Sequence, residues 1–350
     1  MTRRCTITTL GALLALAAPL GAQTSAPTAA RAPSEIVSAA PQADWVRIAA
    51  TDLLVMTLAP DARGRARRVV IQLIPAPFSQ GWVRNIRKLA AAHWWDATSI
   101  NRVQDNYVVQ WGDVTEKKPL PTGLEAIPEQ CYVVVYGDQP CPFEKSKLGE
   151  QPKAIPAQGA SPGDANPPLL RPVKRPMSWQ ENGDAYRTVP EFFEGWPVAF
   201  GFGPDARPER WPVHCYAMVG VGRNLSPDTG SGAELYTVIG HAPRHLDRNI
   251  ALVGRVIEGM EHLSSLPRGA GALGFYPAAE AKLRTPILSV RLASELPAPR
   301  QPKFEYLSTE SESFASYAEA RANRRDAFFI RPAGGADICN LPVPVRRVRP

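Results

Sequence analysis

Short, valine-rich segments recur along the 350-residue chain, and most of them follow one another through turns rather than through helices. β-Branched and aromatic residues at this density favour strands. Two stretches near them have helical spacing, SQGWVRNIRKLAAAHWW from Ser79 and RVIEGMEHLSSL from Arg255. Strands without regular alternation with helices do not build a parallel sheet. Two helical patterns against seven or eight strands therefore predict a mostly β fold with a closed antiparallel β-barrel.

Composition indicates an insertion within that barrel and an extension after it. We expect the barrel to span residues 44–297, interrupted by an insertion at about 114–212. The insertion contains the proline-rich run EQPKAIPAQGASPGDANPPLLRPVKRP, which has too little regular pattern for a domain of its own. Residues 298–350 are expected to form a C-terminal extension with one clear helix, for which Thr309 and Glu312 provide a capping box.

The N-terminus has the layout of a secretory signal. Arg3 and Arg4 precede a short apolar run and the small residues before Gln23, and this run is too short to span a membrane. We place the signal peptide at residues 1–22 and a disordered leader, rich in Ala, Pro and Ser, at residues 23–43. No later stretch reaches the roughly 20 apolar residues of a membrane span. These features predict export to a bacterial periplasm, and we expect a monomer.

Four cysteines remain once the signal peptide with Cys5 is removed. In an oxidising compartment an even number favours two disulfides, and four cysteines allow three pairings. Cys131 and Cys141 flank a strand and a Gly-Asp turn and could meet locally, which would leave Cys215 to pair with Cys339. Buried free thiols are the alternative.

Charge and motifs argue against several classes of function. The formal net charge is +7, and basic residues are interspersed with acids along most of the chain, unlike those of nucleic-acid-binding proteins. GAGALG at 269–274 has the spacing of a dinucleotide fingerprint, but a helical pattern precedes it and none follows, so we interpret it as a loop. His241 and His245 are four residues apart, but the intervening Pro243 and the lack of a nearby third ligand argue against zinc. We expect no cofactor, no metal and no nucleic-acid partner.

One cationic side chain has strongly apolar neighbours in sequence. In HWWDATSINRVQDNYVVQWGD, residues 93–113, Arg102 is the one Lys or Arg side chain, and the amide Gln110 follows it eight residues later. The apolar residues of this stretch are Trp94, Trp95, Ile100, Val103, Tyr107, Val108, Val109 and Trp111. An arginine in a strand is most often a surface charge, so this stretch alone assigns no function.

The longer run GRARRVVIQLIPAPFSQGWVRNIRKLAAAHWWDATSINRVQDNYVVQWGD resembles the first half of a cyclophilin, a family of peptidyl-prolyl cis-trans isomerases. It has the family's order of strand, apolar turn with proline, helix, aromatic pair, arginine-bearing strand and glutamine-bearing strand. A second run, YAMVGVGRNLSPDTGSGAELYTVIGHAPRHLDRNIALVGRVIEGME, is similar to the family's later half in a more degraded form. The two runs stand in the family's order, so the resemblance implies the cyclophilin fold, a closed eight-stranded antiparallel β-barrel capped by two helices.

The resemblance also implies roles for particular residues. Arg102 falls on the family's catalytic arginine, and Gln110 falls on the glutamine that supports it. The remaining positions would bind the substrate in the proline pocket or along the peptide: Tyr107, Val108, Gly222, Arg223, Glu234, Tyr236, His245 and Leu246. The rim of the pocket departs from the family, because Asn101 replaces a histidine, Glu234 a glutamine and His245 a tryptophan.

Non-covalent chemistry is sufficient for such a site. Rotation about an X-Pro bond loses amide resonance, with a barrier of about 20 kcal/mol. At the twisted midpoint the proline nitrogen gains a lone pair that a guanidinium can hydrogen-bond, and an apolar pocket strengthens that bond. The resemblance thus implies an isomerase acting on proline-containing segments of exported proteins. If Glu234 instead pairs with Arg102 and occupies its donors, a peptide-binding or chaperone module with weak catalysis is the alternative. A barrel that only carries the insertion and the extension is a third hypothesis.

Overall fold

Antiparallel strands make up most of the regular structure. The computed structural model describes residues 30–135, 141–143, 186 and 189–348. The strands of these residues are β1 (Trp45–Arg47), β2 (Leu53–Leu58), β3 (Arg67–Leu73), β4 (Ser99–Val103), β5 (Val108–Gly112), β6 (Val134–Val135), β7 (Val189–Phe193), β8 (Trp196–Phe202), β9 (Pro208–Pro212), β10 (Met218–Val221), β11 (Leu235–Val238), β12 (Leu252–Glu258), β13 (Ile287–Leu292), β14 (Phe304–Leu307) and β15 (Val345–Arg347). The α-helices are α1 (Pro33–Ala39), α2 (Gln80–Ala91), α3 (Glu261–Ser264) and α4 (Glu312–Ala322).

Eight of the strands form one antiparallel sheet in the order β13-β2-β3-β12-β10-β11-β5-β4. The two edge strands meet where Ser99 bridges to Pro286 and where the N–H of Ile287 donates to the carbonyl of Thr98 at 2.8 Å. These contacts nearly close the sheet on itself. The predicted eight-stranded antiparallel barrel is confirmed.

Helix α2 packs on the barrel core through the face that the sequence predicts. Trp82, Val83, Ile86 and Leu89 recur at helical spacing and have no exposed surface. They join the large apolar cluster formed by the inward-facing side chains of the strands. Ser79 is the residue before the helix, as expected, but its side chain makes no capping hydrogen bond.

The second predicted helix, from Arg255 to Leu266, is largely wrong. Its first four residues belong to β12, which pairs with β3 and β10, and only Glu261–Ser264 are helical. The boundary between β12 and the helix is Gly259, whose φ of +85° favours glycine. A side chain at this position would overlap the carbonyl oxygen of Arg68. Cross-strand pairing of a valine-rich segment therefore overrides the local helical spacing.

The insertion contributes a small sheet of its own, in the order β6-β9-β8-β7. Its β7–β8 turn packs on the outside of the barrel, because Gly195 accepts a 2.7 Å hydrogen bond from the Nη1 of Arg255 on β12. The same guanidinium donates from Nε to Gln72 on β3 and lies 4.5 Å from the ring centroid of Trp196. The proline-rich run at residues 150–176 lies outside the described residues.

Residues on both sides of the barrel in sequence build a second, smaller layer. Strands β1, β14 and β15 form a three-stranded sheet, and α1 packs against α4. The prediction of a disordered leader at 23–43 is therefore wrong for residues 33–39, where Ile36 is buried in the same apolar cluster as Phe314 and Tyr317. Helix α4 is capped by Ser311, which accepts from the N–H of Phe314, and not by Thr309.

Two disulfides join these parts, Cys131–Cys141 within the insertion and Cys215–Cys339 between the barrel and the extension. The predicted pairing is confirmed, and the free-thiol alternative is wrong. The predicted signal peptide lies outside the described residues. Among the helices that are described, none has the length and apolarity needed to cross a membrane.

Candidate active site

A row of side chains runs across three neighbouring barrel strands on their outer face. Arg102 on β4 pairs in register with Gln110 on β5, and Gln110 pairs with Tyr236 on β11. The row continues to Gly220 on β10, where a side chain would overlap the ring and hydroxyl of Tyr236. The strands thus place the predicted catalytic pair beside the predicted pocket tyrosine, and Gly220 leaves room for that tyrosine to lie across the sheet.

The guanidinium of Arg102 is held by three acceptors. Its Nε donates to the carbonyl of Leu273 at 2.7 Å, its Nη1 donates to Oε1 of Gln110 at 3.1 Å, and its Nη2 donates to the side-chain oxygen of Gln104. The Arg102 side chain is half-buried, and this burial lowers its pKa from the ordinary value, against the opposing effect of Tyr107 and Tyr236. These bonds use three of the five N–H groups of an arginine. One donor on each Nη atom therefore remains for a bound molecule.

The loop that includes residues 269–274 covers the other side of Arg102. The ring of Phe275 lies 5.2 Å from the guanidinium carbon and the ring of Tyr107 lies 5.6 Å from it, so two aromatic faces flank the cation. Backbone bonds fix the loop to β4, including one from the N–H of Tyr276 to the carbonyl of Asn101. The loop interpretation of GAGALG is correct, but its contribution to the arginine site was missed. The sequence signal for it is an aromatic residue directly after a glycine-rich turn.

The apolar wall predicted around Arg102 divides between two faces of the sheet. Ile100, Val103, Val109 and Trp111 point into the barrel and belong to its core, and so do Trp94 and Trp95. Only Tyr107 and Val108 contribute to the outer face. Side chains alternate across a strand, and the irregularity between Ile100 and Arg102 turns these two to opposite faces, so neighbours in sequence cannot all surround one side chain.

The predicted pocket residues do come together on that outer face. Val108, Tyr236 and Val238 form a buried apolar cluster, and Tyr107 and Leu246 pack against it. His245 stacks on Tyr107 with ring centroids 6.3 Å apart. Gly222 lies beside Gln110 and Glu234, and Arg223 directs its guanidinium to the carbonyls of Asn249 and Asn224. All the positions that the resemblance implies therefore lie around one patch next to Arg102.

A buried polar chain lies beneath this patch and was not predicted. The hydroxyl of Tyr236 is 3.0 Å from Nε2 of His214, and Nδ1 of His214 is 2.9 Å from Oδ1 of Asp247. The second carboxylate oxygen accepts from Nε of Arg244 at 2.7 Å. A carboxylate only accepts, so Nδ1 carries the proton of His214 and Nε2 accepts from the tyrosine hydroxyl. Burial raises the pKa of Tyr236 well above its ordinary value, so its hydroxyl stays a donor. This series of hydrogen bonds therefore fixes the ring of Tyr236, which lies at the base of the patch.

Glu234 lies beside Gln110 rather than on Arg102. Burial raises the pKa of Glu234 to about 7, while the side-chain amides of Asn101 and Gln110 and the backbone N–H of Asp113 interact with its carboxylate and lower it. Its Oε2 is buried and makes no hydrogen bond within the part of the chain that the structure describes. Among the described residues no ion pair joins Glu234 to Arg102. The bonded donors of Arg102 go to Leu273, Gln110 and Gln104 instead. The hypothesis that Glu234 occupies the arginine is therefore wrong.

Comparison with known proteins agrees with this geometry. The model of the family described as cyclophilin type peptidyl-prolyl cis-trans isomerase/CLD matches residues 68–284. The chain belongs to this cyclophilin family. The match spans β3 to the loop before β13 and includes every predicted catalytic and substrate-binding residue. A comparison with curated protein sequences finds no match.

A solved cyclophilin shares the fold. The crystal structure of cyclophilin AquaCyp293 from Hirschia baltica superposes with a TM-score of 0.59 at 20% sequence identity, over 87% of this chain and 95% of that one. A Cryptosporidium parvum cyclophilin solved in the presence of the dipeptide Ala-Pro matches with a TM-score of 0.33 at 10% identity, over 68% of this chain and 98% of that one. The first likeness shows that the cyclophilin fold extends over most of the chain, and the second is too weak to carry an argument.

Proposed function

We propose that this cyclophilin isomerises X-Pro bonds with Arg102 as its catalytic residue. The observation that carries the proposal is the row of Arg102, Gln110 and Tyr236 across β4, β5 and β11. It sets a preoriented cation beside a buried apolar patch on the outer face of the barrel. This is the combination that an amide needs in order to twist, a donor for the developing lone pair and a surface that holds the ring.

The proline ring of the substrate would pack on Val108, Tyr236 and Leu246. The hydroxyl of Tyr236 is engaged by His214, which fixes its ring in the buried apolar cluster against which Tyr107 and Leu246 pack. An unused N–H of the Arg102 guanidinium would then donate to the proline nitrogen as the amide loses its resonance. The bonds from Arg102 to Leu273 and Gln110 keep the guanidinium in place, so little reorganisation is needed at the midpoint.

A peptide isomerisation assay tests this function directly. The uncatalysed exchange of a short Ala-Pro peptide takes tens to hundreds of seconds. We expect catalytic amounts of the protein to shorten it in proportion to protein concentration. Saturable binding of the peptide without any increase in its exchange rate would support a binding module instead.

We also propose that the protein is exported and acts on exported, proline-containing chains. The support is the signal-like sequence at residues 1–22 together with two disulfides, which persist in oxidising compartments. Expression in a bacterium followed by intact mass of the periplasmic fraction tests this. A mature chain beginning at Gln23 with no alkylatable thiol is the expected result, and retention of residues 1–22 in the cytoplasm would contradict it.

A further inference from the structure

Three successive large apolar side chains are exposed in one loop of the C-terminal extension. The loop follows helix α4 and spans residues 323–334. Ile330 is 97% exposed, Phe328 is 85% exposed and Phe329 is 39% exposed. These three residues together form the apolar tip. A contiguous apolar patch with polar residues at its rim commonly marks an interaction site.

The loop has internal contacts that give the tip a definite shape. At its base, Oδ1 of Asn323 accepts a hydrogen bond from the N–H of Gly334 at 2.9 Å, so the two ends of the loop are joined. The ring of Phe329 packs edge-to-face on Phe328 with centroids 5.2 Å apart, and the guanidinium carbon of Arg324 lies 4.3 Å from the Phe329 centroid. Phe329 therefore supports the tip, and its two neighbours provide most of the exposed apolar surface.

Arginines lie on both sides of the tip in sequence. Arg324 and Arg325 precede it and Arg331 follows it, whereas Asp326 is the one acid of residues 323–334. Asp326 pairs with Arg324 at 2.6 Å. The net charge of the loop, three arginines against one aspartate, is thus +2 and is carried by Arg325 and Arg331, which are exposed. The surface that complements this loop is anionic around an apolar interior.

We propose that the apolar tip inserts into the surface of an anionic phospholipid bilayer, with Arg325 and Arg331 at the level of the phosphate groups. Apolar side chains enter the boundary between headgroups and acyl chains, and arginines are attracted to anionic headgroups. The disulfide Cys215–Cys339 joins the extension to the barrel, so the isomerase domain would stay at the membrane surface. This inference goes beyond the proposed isomerase function and does not depend on it.

The size of the tip favours a lipid surface over a protein partner. Its side chains expose roughly 400 Å² in total at the stated exposed fractions, about half of what a standard protein interface buries on each partner. A protein would also have to supply a pocket for a protruding loop. A bilayer needs no complementary pocket, because its acyl chains adapt to the side chains that enter.

The apolar contact and the charges must act together. Phe328 and Ile330 bury fewer carbon atoms than a single myristoyl chain, which by itself gives only reversible membrane binding, and a second, electrostatic contribution is what strengthens such an anchor. Each arginine near an anionic surface contributes enough to change the affinity about fivefold. We therefore expect reversible binding that needs anionic lipid and decreases at high salt.

The test is sedimentation of the purified protein with vesicles of phosphatidylcholine mixed with phosphatidylglycerol, and with vesicles of phosphatidylcholine alone. Phe328→Ser/Ile330→Ser should bind the anionic vesicles about a hundredfold more weakly than the wild type. Arg325→Gln/Arg331→Gln should bind them about thirtyfold more weakly and no better than the wild type binds phosphatidylcholine. The matched control is Leu225→Ser, which removes an apolar side chain that is 89% exposed on the β10–β11 loop and should bind like the wild type.

A second measurement covers the case in which the serine variant does not fold, which a thermal melt of each variant detects. Phe328→Trp keeps an aromatic ring at the tip, and lipids brominated on their acyl chains should quench its fluorescence more than that of the wild type. Absence of binding to anionic vesicles, or equal binding by the wild type and the folded serine variant, would overturn the proposal. So would a concentration-dependent dimer that needs Phe328 and Ile330 and does not bind vesicles, because a second copy of the chain would then be the partner.

Discussion

Replacing Arg102 by alanine should lower turnover far more than stability. The guanidinium is the cationic donor that the row of side chains offers to the proline nitrogen, and one preoriented donor contributes about 2.7 kcal/mol to a transition state. That value corresponds to a loss of about a hundredfold in kcat/KM. Arg102→Lys should recover little of it, because an ammonium cannot reproduce the planar fork held by Leu273 and Gln110.

The cost to folding is worked from the contacts of the same side chain. Arg102→Ala removes two cation–π contacts at a half-buried site, worth about 0.5 to 1 kcal/mol each. Its hydrogen bonds are exposed or partly buried, so water can replace the lost donors. For a domain of this size the melting temperature should fall by about 4 °C.

The matched control is Arg347→Ala. Arg347 also stacks on a ring, since its guanidinium carbon lies 5.0 Å from the ring centroid of Phe304, and it also donates hydrogen bonds to Glu258. It lies on β15, which is not one of the strands that carry the site. We expect its removal to change turnover by less than a factor of about two. The assay is peptide isomerisation beside a thermal melt for each variant. Wild-type turnover in Arg102→Ala, or a loss that only follows its melting temperature, would refute the mechanism.

Three further predictions follow from the buried groups. Tyr236→Phe should cost about 1 to 3 kcal/mol in unfolding free energy, because the buried His214 loses its donor, while turnover should stay within about threefold because the ring remains. Denaturant unfolding measures the first effect and the isomerisation assay the second. A loss of turnover of about a hundredfold would contradict the role of Tyr236 as a pocket residue that acts through its ring. Replacing Cys215 and Cys339 by serine opens a loop of 124 residues and should lower the free energy of unfolding by about 4 to 5 kcal/mol in the chain-entropy model. The expected result is a lower melting temperature with turnover retained at room temperature, and an unchanged melting temperature would contradict the prediction. The raised pKa of Glu234 should make the wild type less stable as pH increases from the ordinary 4.5 through about 7, because Glu234 ionises at lower pH in the unfolded chain than in the folded protein. The expected loss of unfolding free energy is up to about 3 kcal/mol. A slope that persists in Glu234→Gln would show that another group is responsible.

The residues of the site were predictable where a strand carries them in a recognisable order. Arg102 and Gln110 are eight residues apart on one hairpin, so sequence alone places them together. The disulfides were predictable because a local pair left one other pair. The wall around Arg102 was mistaken because sequence neighbours alternate between the two faces of a strand.

Contacts between distant segments were beyond the sequence. Tyr236 lies on β11 but His214 and Asp247 lie in connections between strands, and nothing in the spacing of the three residues marks them as a chain of hydrogen bonds. The same holds for Phe275, which reaches Arg102 from a loop far along the chain. Helix α1 was missed because its seven residues are stabilised by packing against α4 and not by their own composition.

Exchange NMR on a proline peptide tests the central claim most directly, because it observes the rotation itself without a coupling enzyme. A short Ala-Pro peptide is mixed with substoichiometric protein, and the cis and trans signals are followed with wild type and with Arg102→Ala at equal peptide saturation. We predict exchange peaks between the cis and trans forms in the presence of the wild type, and binding without measurable exchange in the presence of Arg102→Ala. Equal exchange rates in the two samples would contradict the assignment of catalysis to Arg102.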